Sequence, residues 1–153
     1  MCSLIENRLL FAALGALGLV ALFKQTGKKK IFISFAIEDS RARDLLVGQA
    51  KNTRSPFDFR DNSVYEPWDR AWKTHCREEI RDSNGVIVLL SNKTWNADGQ
   101  RWEINCAVQE GIPIIGVHAY NKKKRRGAIP PELKRQKVIE WNWEEITRFL
   151  YTL

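Results

Sequence analysis

Three polar side chains in this sequence occupy positions from which they can act on a bound molecule. Ser34 and Ser91 each end a run of apolar residues that reads as a buried strand, and Glu103 lies near the start of a helix. A small hydroxyl at a strand end suits a phosphate or a ribose, and a fixed carboxylate stabilises positive charge that develops on a bound group. Taken alone, a glutamate such as Glu103 is also what the positive end of a helix favours without any ligand.

The cysteines and histidines do not indicate metal chemistry. Cys2, Cys76 and Cys106 form no Cys-x-x-Cys pair, and with His75 and His118 they show no metal-ligand spacing. The sequence therefore predicts no metal site. An odd number of cysteines without a framework fits a reducing compartment.

The net charge of +7 is concentrated in two short segments. Residues 1–30 carry five basic side chains against one acidic side chain, and the run 122–126 is entirely lysine and arginine. The remainder is slightly acidic, so no basic face extends over the domain as nucleic-acid binding proteins tend to show. We expect no nucleic-acid partner and interpret the run 122–126 as a solvated loop.

The N-terminal segment is apolar and separate in character. No charge occurs from Leu9 to Phe23, and the segment is apolar all round, unlike an amphipathic core helix. A signal peptide is disfavoured because no small-residue cleavage site follows Phe23. We expect residues 4–23 to form a single-pass membrane helix, with the following domain in the cytoplasm by the positive-inside rule. The predicted organisation is a membrane-anchor helix over 1–24, a basic linker over 25–30 and a domain over 31–153.

Strand and helix patterns alternate along residues 31–153. Short apolar runs predict five strands, at 31–35, 57–59, 86–90, 112–117 and 138–139. Apolar side chains at helical spacing predict four helices, with inward faces at Ala42, Leu45, Leu46 and Gln49; Trp68, Trp72, Cys76 and Ile80; Ile104, Ala107 and Val108; and Trp143, Ile146, Leu150 and Leu153. The predicted fold is an α/β, flavodoxin-like, doubly wound parallel sheet of five strands in the order 2-1-3-4-5, with three layers, preceded by the N-terminal apolar helix.

Six stretches between residues 31 and 118 form an ordered set. They are IFISF (31–35), LVGQAKNTRSPFDF (46–59), YEPWDRAW (65–72), VIVLLS (86–91), WEINCAVQEG (102–111) and PIIGV (113–117). The set resembles the TIR-like domain family of bacteria and archaea, which includes the TIR-like protein of the Thoeris anti-phage system. In TIR enzymes a glutamate on the helix after the third strand is needed to cleave NAD, and the resemblance places Glu103 at that position.

The resemblance implies an enzyme that cleaves NAD to nicotinamide and an ADP-ribose or cyclic ADP-ribose-type signal, in anti-phage or stress signalling. NAD is then a substrate, and no cofactor is expected. Because ligands of doubly wound sheets bind at the carboxyl ends of the strands, Glu103 is the expected catalytic residue of a cleft there. The expected NAD contacts are Ser34, Phe35, Ala36, Ser91, Trp95 and Trp102. Self-association through TIR domains and a separate effector protein are further expectations.

Two other functions are compatible with this type of fold. A non-catalytic TIR adaptor at the membrane would use the loop after the second strand to bind another TIR domain. A response-regulator receiver would need an aspartate at the end of the third strand, where the sequence has Leu89, Leu90 and Ser91. Asp39 is interpreted as a helix cap and not as a ligand.

Overall fold

In the computed structural model the described residues are 27–60, 70–121 and 123–153, with only the backbone described for Arg70 and Lys124. Their strands are β1 (Lys30–Ser34), β2 (Asp58–Arg60), β3 (Gly85–Leu90), β4 (Ile114–His118) and β5 (Lys137–Glu140). They form one sheet in the order β2-β1-β3-β4-β5, and every neighbouring pair is parallel. The predicted sheet and its strand order are confirmed. The predicted N-terminal helix lies outside the described residues.

The described residues form four α-helices. These are α1 (Ser40–Asn52), α2 (Arg70–Arg81), α3 (Asp98–Gln109) and α4 (Trp143–Leu150). Short 3-10 turns occur at Ile37–Asp39, Thr94–Asn96, Lys123–Arg125 and Pro131–Leu133. The connection from β4 to β5 therefore carries two 3-10 turns in place of an α-helix, and it contains the basic run.

The sheet has an apolar core on each face. Side chains alternate along β1, so that Ile31 and Ile33 face the core under α1 and α4, whereas Phe32 faces the core under α2 and α3. Every residue of β3 is buried, which is typical of a central strand covered by helices on both sides. This two-sided burial explains why the strands read as continuous apolar runs in the sequence.

Two residues predicted to face inward are instead exposed. The buried positions of α1 are Ala42, Leu46 and Ala50, at steps of four residues, so the neighbouring Leu45 is directed outward and is 67% exposed. In α3, Val108 is 37% exposed for the same reason, because it follows the buried Ala107. A pattern of adjacent apolar residues therefore overestimates how wide the buried helix face is.

The predicted localisation, a single-pass membrane protein with a cytoplasmic domain, is corrected by the helices that the structure contains. None of the helices in residues 27–60, 70–121 and 123–153 is long and apolar enough to cross a membrane. The longest of them, α1, has 13 residues, and a spanning helix needs about 20 apolar residues. The segment 4–23, predicted to be the anchor, lies outside the described residues, as does Trp68.

Candidate functional site

A crevice is expected between the carboxyl ends of β1 and β3. These strands are neighbours in the sheet, with Ser34 opposite Val88. The chain leaves β1 for α1 on one face and leaves β3 for α3 on the other face, as the two separate cores show. Such a switch point is where doubly wound sheets bind ligands, because the two diverging connections leave a space between them.

A buried carboxylate lies at this switch point. Ser34 is the last residue of β1, and its Oγ donates a hydrogen bond to Oε2 of Glu103 at 2.6 Å. The other oxygen, Oε1, accepts from the Cys76 thiol at a sulfur–oxygen distance of 3.8 Å. Ser34 is fully buried and Glu103 is 8% exposed. The structure thus holds a carboxylate in a fixed orientation beside the end of the first strand.

Gln100 connects the two strand ends and is a residue that the sequence reasoning missed. It lies one turn before Glu103 on the inner face of α3 and is 3% exposed. Its Nε2 donates to the backbone oxygen of Leu89 at 2.8 Å and to that of Ser34 at 3.2 Å. The three-residue spacing between Gln100 and Glu103, which places them on one helix face, is the signal that would have found it.

A second polar network lies beside the first. Asp39 is 4% exposed, and its two oxygens accept hydrogen bonds from the Ser91 hydroxyl and, at 2.9 Å, from the Tyr120 hydroxyl. The Ser91 hydroxyl also accepts from the backbone N–H of Lys93 at 2.9 Å. Asp39 occupies the N-cap position of α1, as predicted, but its side chain makes no capping hydrogen bond to that helix. Burial, followed by the hydrogen bond to Asp39, raises the pKa of Tyr120.

The predicted aromatic contacts Trp102 and Trp95 pack against neighbouring side chains. Trp102 packs at the α2 side of α3, with its ring centroid 5.3 Å from that of Trp72. Trp95 is 46% exposed, and its ring lies 5.5 Å from the guanidinium carbon of Arg101. No described contact joins either ring to the Ser34–Glu103 pair. Their predicted stacking on the ligand stays a prediction.

Phe35 and Ala36 follow Ser34 directly. Ala36 is 1% exposed and is the N-cap residue of the 3-10 turn that ends at Asp39. Phe35 is partly buried against the core under α1, where the Arg43 guanidinium carbon lies 5.3 Å from its ring centroid. Of the predicted site residues, the structure therefore brings together Ser34 and Glu103 directly, with Ala36 and Ser91 at the same strand ends.

Two cavities adjoin the Asp39 network. One, of about 170 Å³, is lined by Glu38, Asp39, Asn92, Lys93, Tyr120 and Arg125. The other, of about 490 Å³, is lined by Ala119, Tyr120, Asn121 and Arg125. Tyr120 and Arg125 belong to both cavities and so separate them. A more apolar groove of about 650 Å³ lies along α1, against Leu45 and Trp141.

The site contains no metal-ligand set and no reactive thiol among the residues described. No group of three or more His, Cys, Asp or Glu within those residues is placed to hold a metal ion. Cys76 and Cys106 are buried cysteines. Burial raises the pKa of Cys106, which disfavours its nucleophilic thiolate form.

The fold is of the TIR type. The chain is similar to the TIR domain of the Toll-related receptor TRR-2 from Hydra magnipapillata, with a TM-score of 0.56, 16% identity and coverage of 80% of this chain and 91% of that one. It is also similar to a prokaryotic SEFIR domain, with a TM-score of 0.52, 15% identity and coverage of 82% and 89%. At these identities the similarity establishes the fold alone.

A narrower assignment comes from the sequence family. The model of the family described as Thoeris protein ThsB, TIR-like domain, matches residues 32–124, which is more than half of the chain. The chain therefore belongs to this family. Compared with curated proteins, the chain has no match.

Proposed function

We propose that this TIR-like domain binds NAD and cleaves the bond between nicotinamide and ribose. The products are nicotinamide and an ADP-ribose or cyclic ADP-ribose-type molecule that acts as a signal in anti-phage or stress defence. The observation that carries the proposal is the buried Glu103 carboxylate, held by Ser34 at the switch point of the sheet. The chain's place in a Thoeris TIR-like family supports the signalling role.

A single fixed carboxylate suits this reaction. As the bond from the ribose C1′ to the ring nitrogen breaks, its electron pair goes to nicotinamide, and positive, oxocarbenium-like charge develops on the sugar. A carboxylate beside the ribose stabilises that charge. Nicotinamide leaves as a neutral molecule, so no strong general acid is needed. Water then bonds to C1′ in hydrolysis, or a group of the ADP-ribose itself does so in cyclisation, and the proton that the attacking group loses passes to solvent.

Burial increases the effect expected of Glu103. Charges interact more strongly where water is excluded, because the effective dielectric constant is lower than in bulk water. The Ser34 hydroxyl and the Cys76 thiol engage the two carboxylate oxygens, one each, and so limit rotation of the group. A carboxylate that is already oriented needs little reorganisation as the sugar becomes cationic.

Assembly and a partner are part of the proposal. The TIR resemblance implies that activity depends on self-association of TIR domains. It also implies that a separate effector protein reads the product. The test must therefore include high protein concentration, so that lack of assembly is not mistaken for lack of activity.

The experiment is incubation of the full chain with NAD over a range of protein concentrations, with products identified by mass spectrometry. A Glu103→Ala variant is treated in parallel, and thermal unfolding verifies that it folds. Release of nicotinamide by the native chain and not by the variant supports the enzyme. Absence of product from the native chain at every concentration would overturn it and favour the non-catalytic adaptor.

A further inference from the structure

We propose that Lys93 and Arg125 form an anion subsite at the mouth of the cleft, where they bind the diphosphate of the dinucleotide. The inference rests on the proposed function, and it assigns a role to part of the basic run interpreted above as a solvated loop. The side chains of Lys93 and Arg125 both line the cavity of about 170 Å³ beside Asp39.

The backbone at Arg125 and Gly127 lies against the chain that follows β3. The backbone N–H of Asn92 donates to the Arg125 oxygen at 2.8 Å. Gly127 passes so close that a Cβ atom placed on it would lie 2.0 Å from the Ser91 oxygen. Only a residue without a side chain permits this approach. The loop backbone at Arg125 is therefore fixed against the same strand end that carries Ser91.

The Arg125 side chain is positioned by the buried network. Its guanidinium carbon lies 4.8 Å from the ring centroid of Tyr120. Tyr120 is in turn held by its hydrogen bond to Asp39, which also accepts from Ser91. A guanidinium stacked on an aromatic ring keeps its N–H edges available, and those edges match the geometry of phosphate oxygens.

The charges at this cavity are arranged for an anion. In the part of the chain that the structure describes, neither Lys93 nor Arg125 is paired with a carboxylate, whereas the adjacent Arg126 pairs with Glu140. Asp39 lines the same cavity, but it is 4% exposed and both its oxygens accept hydrogen bonds from within the protein. The cavity therefore presents two exposed cations, and the exposed Glu38 is the other acidic residue of its lining.

The subsite and Glu103 flank the same two strand ends. Ser34 and Ser91 follow the neighbouring strands β1 and β3, and Gln100 ties the ends of these strands together. Glu103 is bound to Ser34, and the Lys93 backbone is bound to Ser91. In this proposal the dinucleotide places its nicotinamide ribose at Glu103 and its diphosphate at Lys93 and Arg125.

The test is isothermal titration of the full chain with ADP-ribose and with nicotinamide riboside, which lacks the diphosphate. A Lys93→Gln/Arg125→Gln variant is compared with the native chain and with Arg135→Gln, which changes an exposed cation outside the cavity. We expect the double variant to weaken ADP-ribose binding by about tenfold or more. Binding of nicotinamide riboside, and binding of either ligand by Arg135→Gln, should be unchanged.

The outcomes separate the subsite from the cleavage reaction. An unchanged affinity for ADP-ribose in the double variant overturns the subsite, and so does a native chain that does not bind ADP-ribose. If NAD is cleaved in a Glu103-dependent way while the KM of the double variant stays native, the subsite is wrong and the proposed function stands. If the double variant binds ADP-ribose more weakly than the native chain, as predicted, but the native chain does not cleave NAD, the subsite stands and the proposed reaction is wrong.

Discussion

Ser34 and Glu103 are 69 residues apart in the chain, and the Ser34 hydroxyl donates a 2.6 Å hydrogen bond to the Glu103 carboxylate. The bond connects the end of β1 with the inner face of α3 in a buried position. A charged group with so little exposure is costly unless it is hydrogen-bonded. Ser34 is therefore a positioning residue, and its removal affects both the stability of the fold and the orientation of the carboxylate.

A Ser34→Ala substitution tests this relationship. The variant loses a hydrogen bond to a charged group. We therefore expect its free energy of unfolding, measured by urea denaturation, to be about 1–3 kcal/mol lower than that of the native chain. The rate of nicotinamide release should also decrease, because the carboxylate is less firmly oriented. Ser83→Ala is the control, since the buried Ser83 hydroxyl donates at 2.7 Å to the Ile80 oxygen, remote from Glu103. Equal rates in the two variants would contradict the positioning role.

Alanine substitutions at two glycines are expected to change the stability of the domain in opposite directions. Gly127→Ala places a methyl group against the Ser91 backbone, where the loop must move, and we expect a loss of about 1–3 kcal/mol. Gly48→Ala lies inside α1 with no atom within 4 Å of the new Cβ, so it should stabilise the domain by about 0.5–1 kcal/mol. Chemical denaturation of both variants provides the measurement. A stable Gly127→Ala variant would show that the loop is not seated on β3.

His118 predicts a pH dependence of stability. It ends β4 and is 6% exposed, and burial, followed by the nearby Arg126, lowers its pKa. At His118 the unfolded chain therefore binds a proton more readily than the folded chain does. The contribution of neutral His118 to the free energy of unfolding is present above the ordinary pKa of about 6.5 and is lost as pH falls below it.

The measurement compares unfolding free energies at about pH 7.5 and about pH 5.5. The native chain should lose stability at the lower pH, and His118→Gln should lose less. His75→Gln is the matched control, because the His75 side chain is 53% exposed and His75 and His118 are the two histidines of the chain. A native pH dependence in His118→Gln would contradict the assignment.

The fold could be predicted because its signals are local. The all-apolar run 86–90 indicated a central parallel strand, and the structure extends it by one residue to Gly85. β5 was recognised from Val138 and Ile139 alone, and it spans Lys137–Glu140. Strand ends shifted because pairing with a neighbour, and not hydrophobicity, determines where a strand begins and ends. The exposure of Leu45 could not be predicted, because it depends on which face of α1 packs against the sheet.

The site was predictable at Ser34 because a hydroxyl residue ends a strand, and at Glu103 because of the family resemblance. Ser34 and Glu103 were named together from the sequence, and the structure joins them. The sequence does not predict the network of Asp39, Ser91 and Tyr120, because Asp39 and Tyr120 are 81 residues apart and Asp39 has a simpler local explanation as a helix cap. Arg125 lies in a run of five basic residues in the sequence, which does not show that the nearby Gly127 approaches the Ser91 backbone closely.

The central claim is that the Glu103 carboxylate stabilises the cationic sugar, and Glu103→Gln addresses it directly. This change keeps the size of the side chain but removes its charge and replaces one of its two acceptor oxygens with an amide donor, from which the Ser34 hydroxyl can accept. The measurement is nicotinamide release per enzyme at saturating NAD, with Glu144→Gln, an exposed position on α4, as the matched control. We expect Glu103→Gln to lower kcat by about 100-fold or more, with ADP-ribose affinity and unfolding temperature close to native. A folded Glu103→Gln variant that releases nicotinamide at the native rate would contradict the account.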